Sequence, residues 1–179
     1  MASRRRRGSV AALVIALAVA VLVVHLGNRQ DGGILDGPSM TDVRVVRVVD
    51  GDTIVVEQGG DDVRVRLLGI DTPETVKPDS PVECFGPEAS ARATELLDGQ
   101  TVRLEYDPSQ DAVDAYGRTL AYVWLGDVMV NQTLVAEGYA REYTYSTPGV
   151  HQAALATAQD DAKAHERGLW SSETCAGHA

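Results

Sequence analysis

Two aspartates, a glutamate and two arginines stand where side chains of these types could share one task. Asp52 opens a run of strand-forming residues just after Asp50-Gly51, and Asp71 closes another, with Thr72-Pro73-Glu74 directly behind it. Hard carboxylate oxygens with no adjacent Cys or His suit Ca²⁺ or Mg²⁺ rather than zinc. Taken one at a time, Asp-Gly and Asp-Thr-Pro are ordinary turn chemistry. Arg66, five residues before Asp71, and Arg118, just after Tyr116-Gly117, carry guanidinium groups that stay charged and can grip a phosphate through two parallel hydrogen bonds. Either arginine alone reads as a solvated strand residue. With Glu74 the set matches what phosphodiester hydrolysis requires. It offers a place for a cation, donors that tighten as charge builds on the phosphoryl oxygens, and a group to orient or deprotonate water.

Strand runs punctuated by turn signals must position these residues. VRVVRVV (43–49), DTIVVE (52–57) and VRVRLLGI (63–70) are separated by Asp50-Gly51 and Gly59-Gly60-Asp61, the pattern of three successive antiparallel strands. TVRLEY (101–106) and RTLAYVWL (118–125) add two more, joined by a polar loop that contains Asp114-Ala115-Tyr116-Gly117. Between the third and fourth strands, PEASARATELL (87–97) starts on Pro and ends at Asp98-Gly99, which predicts a helix. Asn131 is expected to cap a short helix closed by Gly138, and residues 151–167 to form a longer one ended by Gly168. The predicted fold class is α+β. An OB-type barrel fits because closure leaves no sheet edge exposed, although strand count alone does not choose it over an open sheet.

In order along the chain, VVRVVDGDTIVV, RLLGIDTPET, FGPEAS and DAYGRTLAYV resemble the signature segments of the staphylococcal nuclease family, with family-like spacing over roughly residues 43–171. The resemblance implies a five-stranded OB barrel with three helices, here as a domain over 42–171 followed by a tail over 172–179. It implies that Asp52 and Asp71 carry their side chains to Ca²⁺ and that Thr72 adds its backbone carbonyl. Glu74 matches the family's catalytic glutamate, as general base or as the group that positions the attacking water. Arg66 and Arg118 match the arginines that bind the scissile phosphate and stabilise its five-coordinate transition state. Tyr116 and Tyr143 resemble tyrosines that contact substrate, near a terminal phosphate and near a base or sugar respectively. The expected activity is that of a monomeric calcium-dependent endonuclease acting on DNA and RNA, preferably single-stranded or flexible, and leaving 3′-phosphate ends. Ala115 stands where the best-known member has a substrate-binding lysine, and Asp79-Ser80 replace a lysine pair, so a weakened grip on substrate is expected.

Charge distribution agrees with an enzyme better than with a binding module. The chain carries 16 Lys/Arg and 26 Asp/Glu; five of the basic and none of the acidic residues precede residue 30, which leaves 11 against 26, a formal −15, in residues 30–179. High affinity for a polyanion comes from Lys and Arg releasing counterions. Screening beyond about 8 Å at physiological salt nevertheless leaves a local site in control of catalysis. The histidines, at 25, 151, 165 and 178, lie away from the carboxylate motifs and support neither a histidine nuclease nor a zinc site.

The N-terminus is set apart by a basic block, Arg4 to Arg7, followed by 17 residues from Val10 to Leu26 without formal charge. As a helix this run would span roughly 25 Å, near the lower limit for crossing a bilayer. Residues 1–27 are therefore expected to be an uncleaved membrane anchor, with a cleaved secretory signal as the alternative, and 28–41 a flexible linker. Either way the basic block stays in the cytoplasm and the domain lies outside. An oxidising exterior would allow Cys84 and Cys175, the only cysteines, to pair; the alternative is two free thiols.

Overall fold

The structure, a computed structural model, describes residues 40–75 and 81–178. The expected anchor, most of the linker, and Asp79-Ser80 lie outside the described residues. Among the described residues, no helix is long and apolar enough to cross a membrane.

Five strands form the barrel: β1 (Met40–Val48), β2 (Thr53–Gln58), β3 (Asp61–Leu67), β5 (Thr101–Glu105) and β6 (Thr119–Leu125). In β1 the two-residue period buries Val43 and Val45 and exposes Arg44 and Val46, so one face enters the core. Antiparallel ladders join β1 to β2 and β5, β2 to β3, and β5 to β6. A parallel pairing of β3 with β6, Val65 opposite Thr119 and Leu67 opposite Ala121, closes the ring. The β1–β2 register shifts between Val45 and Arg47, a bulge that bends β1 as closure requires. Inside, Val45, Ile54, Val56, Val65, Leu67 and Leu104 pack together, fully buried. Among the described residues the fold is thus a closed five-stranded barrel with three helices, α1 (Gly86–Leu97), α2 (Val130–Ala136) and α3 (Gln152–Ala164).

The run predicted as one strand over 63–70 is divided. Gly69 takes a left-handed φ of +77° and sits so close to α3 that a Cβ would lie 2.7 Å from the Leu155 side chain. A residue with a side chain would be strained there and would also clash. Beyond this turn β4 (Ile70–Asp71) leaves the barrel and pairs with β8 (Arg141–Glu142), so Asp71 belongs to a separate two-stranded ladder. A short β7 (Val128–Met129) pairs with the end of β6.

Asn131 is not the helix cap the sequence suggests. Met129 holds the cap position, and Asn131 lies within α2, 0% exposed. Its Oδ1 accepts the Val123 N–H at 2.8 Å and its Nδ2 donates to the Leu68 carbonyl at 2.8 Å. Two buried backbone groups that no strand partner satisfies are thereby paired through one side chain. Asn131→Leu is expected to cost about 2–4 kcal/mol, since it orphans both groups. Urea unfolding would show this as a lower midpoint at unchanged slope; an unchanged midpoint would contradict the bridging role.

The C-terminal segment is held to the domain. The short 3₁₀ turn Gly168–Trp170 buries Leu169, and Arg141 and Lys163 approach the Trp170 ring at 5.6 and 4.6 Å. Cys175 forms a disulfide with Cys84, which lies just before α1; their Cα atoms are 6.0 Å apart.

Candidate active site

Arg66 is the hub on which the site is built. The β2–β3 register sets it opposite Thr53, next to Asp52, and it is only 5% exposed. Its Nη1 donates to the carbonyls of Leu67 (3.1 Å) and Ile70 (2.9 Å) and meets Asp52 Oδ2 at 3.0 Å; Nη2 meets Asp71 Oδ1 at 2.8 Å. One guanidinium therefore ties the barrel carboxylate to the ladder carboxylate. Asp52, 6% exposed, also accepts the Thr72 N–H and the Thr72 hydroxyl, both at 3.0 Å, and the Thr53 hydroxyl at 3.1 Å. Gly51 makes this approach possible, because a Cβ there would lie 2.7 Å from the Thr72 hydroxyl.

Arg118 reaches the site from the turn before β6. Asp114 organises that turn: its Oδ1 accepts the N–H groups of Tyr116 and Arg118 at 2.9 Å, and its Oδ2 accepts Arg118 Nε at 2.7 Å. Burial pushes the Asp114 carboxyl up, but these bonds from Arg118 and Tyr116 outweigh it and hold the group below the ordinary carboxylate range. Arg118 Nη1 points back to the Thr53 hydroxyl at 3.4 Å, linking it through Thr53 to Asp52. Glu74 follows Pro73 at the exit of the ladder, and its Oε1 accepts the Thr75 N–H at 2.8 Å.

These groups surround one cavity of about 150 Å³, lined by Asp50, Asp52, Arg66, Asp71, Thr72, Pro73, Glu74 and Arg118. The structure thus brings Asp52, Arg66, Asp71, Thr72, Glu74 and Arg118 to the same place. The two tyrosines stand apart from them. Tyr116 is 85% exposed, with its ring 5.4 Å from the Arg118 guanidinium. Tyr143, positioned by its N–H bond to the Gly69 carbonyl, meets Tyr145 edge to face at 4.7 Å. All three tyrosines line a wider cleft of about 750 Å³, which shares Arg118 with the small cavity.

The carboxylates crowd one another. Burial, and then the charge of Asp52, push Asp50 up to about 6. Burial likewise raises Asp71, against the pull of Arg66. Positive charge in addition to Arg66 would relieve both. Among the described residues no three acidic, His or Cys side chains form a ready metal cluster. A hard cation at this place would draw on Asp52, Asp71 and Thr72 and complete its shell with water, as such ions readily do. The donor set fits that description.

Asp50, Thr53 and Asp114 join the site without a motif that singles them out, while Tyr145, whose period-two spacing with Tyr143 fits base stacking or a strand interior, lines the wider cleft. Asp50 reads as half of an Asp-Gly turn. The available signals were the Asp114-to-Gly117 turn residues and the period-two spacing of Tyr143 and Tyr145.

Fold and cavity together define an OB-barrel protein with a polar pocket on its flank, lined by two arginines, a glutamate and three aspartates. The staphylococcal nuclease homologue family matches residues 64–172 of the chain. Thermonuclease of Staphylococcus intermedius is 45% identical over 166 residues, covering 88% of this chain and 94% of that protein. Thermonuclease of Staphylococcus hyicus is 41% identical over 163 residues, covering 89% and 95%. The SPbeta prophage-derived endonuclease YokF of Bacillus subtilis (strain 168) is 41% identical over 133 residues, which span 74% of this chain and 45% of that protein. The chain belongs to the staphylococcal nuclease family.

Proposed function

We propose that this protein is a calcium-dependent endonuclease that hydrolyses phosphodiester bonds in DNA and RNA outside the cytoplasm, tethered there by its N-terminal segment. The observation that carries the reading is the single cavity in which two arginines, a glutamate and crowded aspartates face one another. Arg66 and Arg118 bind the scissile phosphate and tighten as charge builds on its equatorial oxygens. Arg66 Nη1 is committed to two backbone carbonyls and buried Asp52, so Nη2, bonded only to the half-exposed Asp71, is the end that turns to substrate. Glu74 positions or deprotonates the attacking water. Asp52 and Asp71, with the Thr72 carbonyl, hold Ca²⁺, which supplies neutralising charge at the phosphoryl oxygens when bound. Tyr116 and Tyr143 steady the flanking nucleotide in the wider cleft. Extracytoplasmic calcium suits a site that needs only about 0.1–1 mM affinity.

The test is cleavage of single-stranded DNA and RNA by the full chain, with Ca²⁺ and with a chelator. Chelation is expected to lower the rate at least about 100-fold, and calcium to restore it. Product ends should carry 3′-phosphates; 5′-phosphate ends would contradict the assignment of the bond cleaved. A folded protein that cleaves neither substrate with any divalent cation would instead be a noncatalytic module on the same barrel.

A further inference from the structure

One pair of hydrogen bonds beside the cavity takes no part in the chemistry above. The Glu74 N–H donates to the Glu83 carboxylate at 2.9 Å, and the Glu83 N–H donates to the Glu74 carbonyl at 2.9 Å. A single residue thereby holds both backbone polar groups of Glu74. Glu83 in turn lies in a segment fixed at successive positions. Cys84 is crosslinked to the buried Cys175. Phe85 takes a left-handed φ of 69° and stacks on Tyr139, with ring centroids 5.4 Å apart. Gly86 lies against the same stretch as Glu74, where a Cβ would come within 3.1 Å of the Pro73 carbonyl and 3.0 Å of the Glu74 carbonyl. A left-handed phenylalanine persists only where its surroundings impose it.

The crosslink ends in a segment that is itself well anchored. Arg141 donates to the Gly177 carbonyl at 2.9 Å, and Arg141 is the strand partner of Asp71. The C-terminal segment therefore reaches the cavity by two routes, to Asp71 through Arg141 and to Glu74 through the disulfide and Glu83.

We infer that Glu83, held in place by the Cys84–Cys175 disulfide, is a positioning residue for Glu74 and sets where the Glu74 carboxylate stands in the cavity. This rests on the nuclease reading, in which Glu74 handles the attacking water. Water activation depends on near-attack geometry, and a displacement of about 1 Å can cost up to about 10²-fold in rate.

The test compares Glu83→Ala, Glu83→Gln and the paired Cys84→Ser, Cys175→Ser variant of the full chain by steady-state kinetics and by hydrogen exchange at the Glu74 amide. Alanine removes the acceptor for that amide; glutamine keeps an acceptor oxygen and removes only the charge that Glu83 turns toward Asp71. Glu83→Ala and the paired serine variant are expected to lower kcat about tenfold with KM nearly unchanged, and Glu83→Gln to recover most of the loss. In a Glu74→Gln background, Glu83→Ala should change kcat by less than about twofold, because the two residues act as one unit. The Glu74 amide should exchange faster in Glu83→Ala and in the paired serine variant, while barrel amides such as Val45 keep their protection. Equal losses in both backgrounds, or glutamine no better than alanine, would overturn the positioning role. So would a released Glu74 amide with kcat at the wild-type value. A wild-type chain whose Glu74 amide is protected yet which cleaves nothing would overturn the nuclease reading, and the positioning role with it.

Discussion

Glu74→Gln is expected to lower kcat for DNA cleavage by about 10²–10⁴-fold, the share a positioned general base contributes, with KM and thermal stability nearly unchanged. Glutamine retains an oxygen that can accept the Thr75 N–H now bound at 2.8 Å, and the backbone bonds to Glu83 involve no side-chain atom of residue 74. What disappears is a basic oxygen at the wall of the cavity that holds Arg66 and Arg118. Because the arginines stay, substrate still binds, and the loss should fall on kcat and kcat/KM alike. Saturating single-turnover kinetics would measure it directly. A loss below about tenfold would assign water activation elsewhere and reduce Glu74 to a minor role.

How much of this site was legible in the sequence depends on how far apart the interacting groups lie along the chain. The carboxylates and arginines stand in short motifs whose chemistry is local, and all of them reach the cavity. Barrel closure is different. It rests on β3 pairing with β6, Val65 with Thr119, a contact between distant segments that alternation and turn residues do not signal. Asn131 shows tertiary demand overriding local preference: asparagine favours the cap position, yet two orphaned backbone groups at Val123 and Leu68 draw it into the helix interior. Arg66 shows a further limit. Its residue type permits a phosphate ligand or a solvated strand arginine, and only the structure reveals that it ties two carboxylates and two carbonyls together. Glu83 carries no motif at all, and its bond to the Glu74 amide becomes visible only with the backbone in place.

That second task of Arg66 makes Arg66→Ala the largest expected effect on stability. The truncation leaves buried Asp52 without its guanidinium partner and removes the donor to the Leu67 and Ile70 carbonyls. Breaking a buried pair from one side costs about 3–5 kcal/mol, which for a domain of this size lowers Tm by about 10–20 °C. The bond to Asp71 adds little to that figure, since its side chain is 48% exposed and solvent screens it. Activity should also fall by about 10²–10³-fold through loss of a transition-state donor. Calcium separates the two roles. On the proposed reading a bound cation would compete with Arg66 for Asp52 and Asp71, so the variant should gain more Tm on calcium addition than the wild type, while its cleavage rate stays low. Binding linkage sets the scale, about 2.7 kcal/mol when the ligand is at 100 times its Kd. A variant as stable as the wild type in the presence of chelator would mean that the Arg66–Asp52 pair contributes no net stability. An equal calcium shift in both proteins would mean that Arg66 does not compete for the carboxylates. In the expected case, Arg66 supplies positive charge to a buried carboxylate cluster while calcium is low, which lets a domain carrying such a cluster fold before it meets the metal.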